Sequence, residues 1–345
     1  MLNYLLTFVL AFTIVAVAIP MVKRLAARIG AVDLPNVRKI HTQPLPRIGG
    51  IAIFLGFIVP FLLQFELDRR LWGFLIGLVI MFVVGLVDDI KGLSAWRKLP
   101  WQIVAAIAVL AGGIGIVAAT NPFGGGSIFL DDWRIPMELG SLSFNILPVA
   151  NLVSILWIVG IVNTVNFLDG MDGLAAGVCV IAAVVLFVLA LTPAIDDPGL
   201  AMMAVILAGS LLGFLLYNWH PSSIIMGDSG AYTIGLILAV ITIYSGSKIA
   251  VGVLVLGVAI FDAIWAVTRR LYNRRSPFSP DRGHIHHLLL DSGLTQPQVV
   301  THLYLVAAAI GLTALIYGGV AAFLVLMILL VVTVSLVRLR AAGAQ

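Results

Sequence analysis

Long runs of apolar residues, separated by short polar segments, extend through the whole chain. A helix needs about 20 mainly apolar residues to cross the roughly 30 Å of bilayer hydrocarbon, and many of these runs reach that length. The pattern predicts an all-α polytopic membrane protein with about 11 transmembrane helices. The predicted spans are residues 2–21, 49–65, 71–87, 101–119, 148–165, 174–192, 200–217, 229–246, 249–267, 299–317 and 320–337.

Composition agrees with this pattern. The chain is 61% hydrophobic and 10% charged, with a mean hydropathy of +1.13, which excludes an ordinary soluble globular domain. No internal repeat, low-complexity tract or soluble domain is visible, so residues 1–345 are expected to form a single integral membrane domain. The one cysteine, Cys179, lies inside an apolar run and can form no internal disulfide.

The basic residues between the runs predict the orientation. Cytoplasmic loops of membrane proteins carry an excess of Lys and Arg. With the N-terminus outside and the C-terminus cytoplasmic, 16 of the 20 Lys and Arg residues fall inside. A cleaved signal peptide is disfavoured, because no cation precedes the first run whereas Lys23 and Arg24 follow it. The outer segment 120–147, with its Gly and Pro breaks, is expected to form a small hairpin.

Carboxylates stand where several apolar runs end. Of the 16 acidic residues 14 are Asp, and five of these lie at helix mouths assigned to the cytoplasmic side: Asp88, Asp89, Asp169, Asp172 and Asp228. A carboxylate at the edge of a bilayer costs free energy, so this set of five indicates a functional site. Short carboxylates that converge from several helix ends suit a Mg²⁺ ion carrying a phosphorylated substrate. The outer pair Asp131–Asp132 shows that an acidic pair alone is weak evidence.

Asp88 and Asp89 end the third run in GLVDDIKG, and Lys98 follows ten residues after Asp88. Adjacent residues on a helix point about 100° apart, so the two carboxylates are expected to serve different partners. The alternative for this motif is a solvated helix end with a basic flank.

The stretch NTVNFLDGMDGLAAG contains two Asn and two Asp residues. Asn163 and Asn166 share one face of a helix at i, i+3, and Asp169 and Asp172 follow in a tight Asp-Gly loop. A simple turn would not require two Asn residues in the preceding helical turn, so a functional role is favoured. An EF-hand is excluded, because neither the D-x-D-x-D-G pattern nor a closing Glu is present.

Asp228 begins the eighth run in MGDSG. Gly227 and Gly230 allow the backbone to approach a ligand closely, and a helix N-terminus at this point would help to hold phosphate. The alternative is simple N-capping by Asp228 and Ser229.

Three of the six histidines fall within PDRGHIHHLL: His284, His286 and His287, next to Arg282. A structural zinc site is disfavoured, because Cys ligands are missing. Partly charged histidines with an arginine suit a diphosphate. The alternative is a basic loop lying on anionic lipid.

Two further polar residues are ambiguous. Asp262 is expected inside the ninth span, about two turns from Arg269 and Arg270, where it is either functional or a structural partner of one of those arginines. Arg47 precedes a Gly pair at the cytoplasmic start of the second span. It either contacts a nucleotide or is ordinary positive-inside flanking.

In this order on one side of the membrane, the motifs resemble the polyprenyl-phosphate N-acetylhexosamine-1-phosphate transferase family. The resemblance covers the chain from about Arg47 to His287 and is carried by PLPRIGGIAIF, DDIKGLSAWRKLPWQ, NTVNFLDGMDGLAAG, MGDSG and HIHH. The branch that uses UDP-MurNAc-pentapeptide typically carries three His followed by Phe-Glu. HIHHLL is therefore closer to the bacterial undecaprenyl-phosphate N-acetylglucosamine-1-phosphate (GlcNAc-1-phosphate) transferases.

The resemblance implies transfer of GlcNAc-1-phosphate from UDP-GlcNAc to a membrane polyprenyl phosphate, with release of UMP, as the first step of a cell-envelope glycopolymer. UDP-GalNAc and UDP-MurNAc-pentapeptide are the alternative donors. The implied metal ligands are Asn166 and Asp228, for Mg²⁺ or alternatively Mn²⁺. The implied catalytic residues are Asp88, Asp89, Lys98, Asp169 and Asp172, and the implied substrate-binding residues are Arg47, Asn163, Arg282, His284, His286 and His287. A plasma (inner) membrane location, a site facing the cytoplasm, no nucleic-acid partner and an optional homodimer are also implied.

Three other classes fit the sequence less well. A secondary transporter would place ionisable residues near the midplane and show repeated halves, whereas the polar residues here gather at one face. A CDP-alcohol phosphotransferase shares the spacing of Asp169, Asp172 and Gly173, but Gly177 stands where that family has Arg. An intramembrane prenyltransferase would need a DxxxD-type repeat, which DDIKG lacks.

Overall fold

The computed structural model describes residues 1–33, 44–120, 126–139, 142–244, 256–274, 276 and 283–343. Helices dominate this part of the chain. They are α1 (Leu2–Ile29), α2 (Gly50–Gln64), α3 (Arg69–Lys91), α4 (Ala95–Gly112), α5 (Pro148–Leu168), α6 (Leu174–Ala190), α7 (Pro198–Asn218), α8 (Gly227–Tyr244), α9 (Gly257–Tyr272), α10 (Ile285–Asp291), α11 (Gln296–Tyr317) and α12 (Gly319–Gly343).

The strands form short antiparallel pairs. They are β1 (Val32–Asp33) with β2 (Leu45–Pro46), β3 (Ala118–Thr120) with β4 (Ser127–Phe129), and β5 (Ile135–Leu139) with β6 (Leu142–Ile146). The last two pairs lie between α4 and α5, where the sequence predicted one small hairpin. Extended structure in this segment is therefore confirmed, with two strand pairs in place of one.

The helices follow the apolar runs of the sequence. Six helices in the described residues are long and apolar enough to cross a membrane: α1, α3, α5, α7, α8 and α11. Shorter apolar helical segments are α2, α6 and residues 320–333 within α12. Each predicted span overlaps a helix, although 245–246 and 249–255 lie outside the described residues. The all-α membrane architecture is thus confirmed, while the count of 11 crossings and the orientation stay predictions.

Polar residues and glycines in the breaks between runs set helix ends. Asp68 accepts the N–H of Leu71 at 2.8 Å at the start of α3, as an N-cap carboxylate does. Gly30, with φ 72°, ends α1 in the left-handed conformation that glycine adopts without a steric penalty. The polar breaks seen in the sequence therefore become the turns of the bundle.

Helix α8 is the centre of the fold. All its residues from Ser229 to Ile243 are buried, and α2, α3, α5, α6 and α7 pack around it. A helix that is apolar on every side is covered by protein or faces lipid, and α8 is covered by protein. Helices α3 and α8 approach closely at Gly85, where an added Cβ would lie 2.5 Å from the Ser229 backbone.

This packing brings several helix ends together. The ends of α3 and α5 and the starts of α4 and α8 meet at one end of the bundle, as the contacts between Asp88, Lys98, Asn166 and Asp228 show. Asp131 lies in a loop beyond the opposite end of α4. Motifs that are distant in sequence thus share one end of the structure, as the alternation of the spans predicted.

Candidate active site

Three carboxylates meet at the N-terminal end of α8. Asp88 and Asp89 come from the last turn of α3, and Asp228 comes from the first turn of α8. One oxygen from each carboxylate lies within 4.8 Å of the others, and Asp88 and Asp89 are each only 4% exposed. Carboxylates this close repel one another unless cations compensate them. Their hard oxygen donors are those that Mg²⁺ prefers, so the cluster fits a divalent cation.

Asp89 caps the start of α8 from a different helix. Its Oδ1 accepts the N–H of Asp228 at 2.8 Å, and its Oδ2 accepts the N–H of Ser229 at 3.1 Å and the Ser229 hydroxyl. Amides at a helix N-terminus need acceptors, and the helix dipole favours an anion there. The alternative of N-capping by Asp228 and Ser229 themselves is therefore wrong, because Asp89 fills that role.

Asp228 faces the other polar groups of the site. Its Oδ1 accepts the side-chain amide of Asn166 at 2.9 Å, and its Oδ2 accepts Lys98 Nζ at 2.7 Å. The two residues predicted to hold the metal are thus in direct contact. The Asn166 side chain also carries a carbonyl oxygen, so the pair can offer two kinds of oxygen ligand.

Asp88 lies between two cations. Its Oδ1 accepts the N–H of Leu93 at 2.6 Å and lies 3.5 Å from Lys98 Nζ. Arg47 Nη2 lies 3.6 Å from Asp88 Oδ2, and Arg47 Nε lies 3.7 Å from Asp89 Oδ1. Two cations therefore face three carboxylates in the described part of the site, a balance that accommodates a further positive charge. Arg47, predicted to bind substrate, belongs to this cluster.

The backbone around Arg47 runs beside the segment that leads into α8. The N–H of Ile225 donates to the carbonyl of Pro46 at 2.8 Å. Gly227 follows with φ +73°, and an added Cβ there would lie 2.3 Å from the Arg47 carbonyl oxygen. Only glycine fits both the left-handed conformation and this close approach. The glycine before Asp228 therefore brings α8 against Arg47.

Asn163 lies one helical turn before Asn166 and turns toward α4. Its Nδ2 donates to Gln102 Oε1 at 2.8 Å and to the Val159 carbonyl at 2.8 Å, and Gln102 donates back at 3.4 Å. These contacts join α4 to α5, and a substrate-binding role for Asn163 stays a prediction. Gln102, which is buried, was missed by the sequence analysis, although an amide at the start of an apolar run was a signal for it.

Asp169 lies beside the acidic cluster, in the loop between α5 and α6. Burial raises the pKa of its carboxyl well above the ordinary value, and the nearby carboxylates of Asp228, Asp89 and Asp172 raise it further. The structure therefore brings this predicted catalytic residue into the electrostatic field of the site.

Asp172 binds the loop that precedes α8. Its Oδ2 lies 2.9 Å from His220 Nδ1 and accepts the N–H of Ser222 at 3.1 Å, and its Oδ1 accepts the Ser222 hydroxyl at 2.7 Å. Both carboxylate oxygens are thus engaged by the α7–α8 loop. The structure gives Asp172 a mechanical connection to the segment that carries Asp228, and its predicted catalytic role stays untested.

The loop between α5 and α6 is held from both sides at Gly173. Its N–H donates to Asn218 Oδ1 at 3.0 Å, and its carbonyl accepts the Tyr304 hydroxyl. Gly177, one turn later, would place an added Cβ 1.8 Å from the Tyr304 oxygen. Asn218 and Tyr304 were not predicted from sequence, because the positions that meet this loop come from distant helices.

The histidine motif reaches this loop through His286. An added Cβ at Gly170 would lie 2.6 Å from His286 Nε2, so the ring packs on the turn between Asp169 and Asp172. Burial, followed by the neighbouring His287, lowers the pKa of His286 to about 3. The expectation of a partly charged imidazole is therefore wrong for His286, which is neutral at physiological pH.

His284 and His287 flank His286 on α10 and at its N-cap. The rings of His284 and His286 are parallel within 10°, with centroids 5.6 Å apart, and His287 lies 4.4 Å from His286. His284 Nδ1 lies 2.8 Å from Asp262 Oδ2. The suggested structural partner of Asp262 was an arginine, and the structure shows His284 in such a contact. Arg282, predicted to bind substrate, lies outside the described residues.

The model of glycosyl transferase family 4 matches residues 71–246, which is more than half of the chain and includes every carboxylate of the cluster. The chain belongs to glycosyl transferase family 4. The resemblance stated from the sequence motifs is thereby confirmed.

Relatives of this family 4 chain include enzymes from several bacteria. A probable undecaprenyl-phosphate N-acetylglucosaminyl 1-phosphate transferase of Bacillus subtilis is 33% identical over 97% of this chain and 90% of its own length. A decaprenyl-phosphate N-acetylglucosaminephosphotransferase of Mycobacterium tuberculosis is 33% identical over 82% of this chain and 75% of its own. An undecaprenyl-phosphate alpha-N-acetylglucosaminyl 1-phosphate transferase of Haemophilus influenzae is 29% identical over 92% of this chain and 87% of its own length.

Proposed function

We propose that this membrane protein transfers GlcNAc-1-phosphate from UDP-GlcNAc to a polyprenyl phosphate, giving polyprenyl-diphosphate-GlcNAc and UMP. The observation that carries the proposal is the carboxylate cluster of Asp88, Asp89 and Asp228, with Lys98 and Arg47 against it, in a glycosyl transferase family 4 chain. Two polyanions must meet in this reaction, and such a mixed site suits a metal-bound diphosphate beside a second phosphate.

Asn166 and Asp228 are the residues that we assign to the metal. Bound there, Mg²⁺ would neutralise the diphosphate and make UMP a better leaving group. Asp89 contributes by holding the Asp228 backbone amide at 2.8 Å, which fixes the position of that carboxylate. Lys98, now 2.7 Å from Asp228, is within reach of both the metal ligand and Asp88, and we assign it to a substrate phosphate.

The acceptor needs little activation. A phosphate monoester has a second pKa of about 6, so it is mostly dianionic at neutral pH. One of its oxygens attacks the β-phosphorus of UDP-GlcNAc. The bond from that phosphorus to the bridging oxygen breaks, and the electron pair leaves with UMP. We therefore favour direct attack over an aspartyl-phosphate intermediate. Lys98 and Arg47 serve to lower the repulsion between the two phosphate groups.

The donor sugar is proposed from the histidine motif and the relatives. The sequence HIHHLL departs from the pattern of the UDP-MurNAc-pentapeptide branch, and the three relatives named above are N-acetylglucosamine enzymes. The acceptor is proposed as undecaprenyl phosphate, because the relative that covers 97% of this chain carries that name. The mycobacterial relatives are named for decaprenyl phosphate, so prenyl length is a variable of the test.

The site is proposed to face the cytoplasm of a bacterial inner membrane. The distribution of Lys and Arg supports this orientation. The shared end of the bundle that holds Asp88, Asn166 and Asp228 then opens on the side where nucleotide sugars are made.

Purified protein, UDP-GlcNAc, Mg²⁺ and undecaprenyl phosphate test the proposal. UMP and a lipid-linked GlcNAc should both appear, and EDTA should abolish them. Release of UMP from UDP-GalNAc but not from UDP-GlcNAc would correct only the proposed donor sugar. No UMP from any UDP-N-acetylhexosamine, with either undecaprenyl or decaprenyl phosphate, would overturn the proposed function.

A further inference from the structure

Asp262 is a buried acid that has no assigned role in the proposed reaction. It lies in α9, is 5% exposed, and its carboxylate reaches the N-terminal end of α10. Oδ1 accepts the N–H of Ile285 at 2.7 Å, and Oδ2 lies 2.8 Å from His284 Nδ1. Burying a carboxylate costs free energy unless it is paired and hydrogen-bonded, and His284 and the Ile285 amide are the groups that pair with Asp262.

The other nitrogen of the His284 ring decides which atom carries the proton. Arg270 Nη2 lies 3.1 Å from His284 Nε2. A guanidinium can only donate, so Nε2 must accept with its lone pair. The proton of the neutral imidazole is then on Nδ1, from which it donates to Asp262. His284 is therefore a neutral bridge between an acid and an arginine, in one tautomer.

The bridge continues toward the proposed metal ligands. The Arg270 guanidinium carbon lies 5.7 Å from the centre of the Phe167 ring, and the His284 ring also lies 5.7 Å from that centre. Phe167 directly follows Asn166 at the end of α5. On the other side of His284, the parallel ring of His286 packs on Gly170. His284 thus contacts Phe167 directly and reaches Gly170 through His286, on the two sides of the turn that carries Asp169.

We propose that Asp262 is a positioning residue, which holds His284 in the Nδ1–H tautomer and so sets Arg270 and the histidine helix α10 against the end of α5. The inference on the tautomer stands on the geometry alone. Its kinetic consequence rests on the proposed function and on the substrate-binding role that the family resemblance implies for the histidine motif. Partners that orient metal-ligating histidines in this way are typically worth about 10- to 100-fold in affinity or activity, and we take the same scale for His284.

The tautomer is measurable in the wild-type protein. In protein labelled with ¹⁵N-histidine, the His284 signals, assigned by their loss in His284→Gln, should show a protonated Nδ1 and an unprotonated Nε2. Asp262→Asn removes the carboxylate that accepts the Nδ1 proton, so the population with the proton on Nε2 should rise, and the Arg270 guanidinium must then turn away from that nitrogen. A wild-type His284 with its proton on Nε2 would overturn the inference, whether or not the protein has transferase activity.

The kinetic test separates this inference from the proposed function. In Asp262→Asn the KM for UDP-GlcNAc should rise about tenfold, while the KM for undecaprenyl phosphate and the Mg²⁺ requirement change less than about twofold. Asp262→Glu keeps the carboxylate and should restore the tautomer and most of the KM. Asp196→Asn, an exposed substitution in another loop, is the matched control and should leave both KM values unchanged.

Two kinetic results contradict the inference. One is an active wild type in which Asp262→Asn leaves both KM values unchanged. The other is an equal loss in the Asn and Glu variants with the wild-type tautomer kept in both, because that would assign Asp262 to packing alone. A wild type that releases no UMP with any donor contradicts the proposed function instead, and the labelled spectrum still decides the tautomer.

Discussion

Lys98 Nζ lies 2.7 Å from Oδ2 of Asp228, the carboxylate that we propose as a ligand of Mg²⁺. The same ammonium lies 3.5 Å from Asp88 and 5.8 Å from the centre of the buried Tyr232 ring. A cation held on the ligand atom competes with a metal ion for it. We infer that metal binding releases Lys98 from Asp228 and leaves it for a substrate phosphate.

Replacing Lys98 by methionine should separate these two effects. Lys98→Met should tighten Mn²⁺ binding by about tenfold, because a competing positive charge is removed, and should lower kcat by at least about 100-fold. Titration of Mn²⁺ by electron paramagnetic resonance measures the first effect and UMP release the second. Lys91→Met, an exposed substitution on the same helix end as Asp88, is the control. Weaker Mn²⁺ binding in Lys98→Met would contradict the competition.

Asp89→Asn should destabilise the folded protein more than Asp88→Asn does. Asp89→Asn replaces an acceptor of three hydrogen bonds at the start of α8, so it should lower the free energy of unfolding by about 3 kcal/mol. Asp88→Asn keeps an oxygen for the Leu93 amide and should cost less than about 1 kcal/mol, yet still abolish transfer. Thermal unfolding in detergent and UMP release measure the two losses. Equal destabilisation by both substitutions would show that the capping assignment is wrong.

The metal ligands are tested by alanine substitutions. Asn166→Ala and Asp228→Ala should each reduce Mg²⁺-dependent transfer by about 100-fold or more while the protein stays folded and inserted. Asp131→Ala is the matched control, because its carboxylate pairs with Arg134 in a loop far along the chain from the cluster. Wild-type rates in either of the first two would remove the metal assignment, and an inactive Asp131→Ala would contradict the predicted topology.

Asp172 should act through the loop that it holds. Asp172→Asn weakens three contacts to His220 and Ser222, so activity and thermal stability should fall together. Ser222→Ala removes one of these contacts without touching the carboxylate, and should give a smaller loss of both, about 1 kcal/mol in stability. Loss of activity in Asp172→Asn with unchanged unfolding and a silent Ser222→Ala would instead support a direct catalytic role.

The sequence was sufficient to predict the helices and the end of the bundle where the chemistry lies. Apolar length fixes where helices form, and the alternation of spans places Asp88, Asn166 and Asp228 at the same end. The two adjacent Asp residues also accept hydrogen bonds from different partners, as the 100° rotation between them predicted, although Arg47 lies near both carboxylates.

The division of labour within the site was not predictable in the same way. Asp89 caps α8 because α3 and α8 meet at Gly85, a packing relation that no local pattern encodes. Asp262 was expected either to be functional or to pair with an arginine by helical spacing, whereas the start of α10 brings His284 to it. Partners supplied by distant helices depend on tertiary packing, which the periodicity of one segment does not specify.

The neutral state of His286 predicts how stability changes with pH. An exposed histidine in the unfolded chain has a pKa near 6.5, whereas the folded pKa is about 3. Below pH 6.5 the unfolded chain therefore binds a proton that the folded protein does not bind, and stability falls as the pH falls. Between pH 8 and pH 5 this single group should lower the free energy of unfolding by about 2 kcal/mol.

His286→Gln cannot take up the proton, so its unfolding midpoint in detergent should fall less over this range than that of the wild type. His302→Gln, on α11, is the comparison for a less deeply buried histidine. A wild type and His286→Gln with parallel pH profiles would show that His286 is accessible to protons in the folded state.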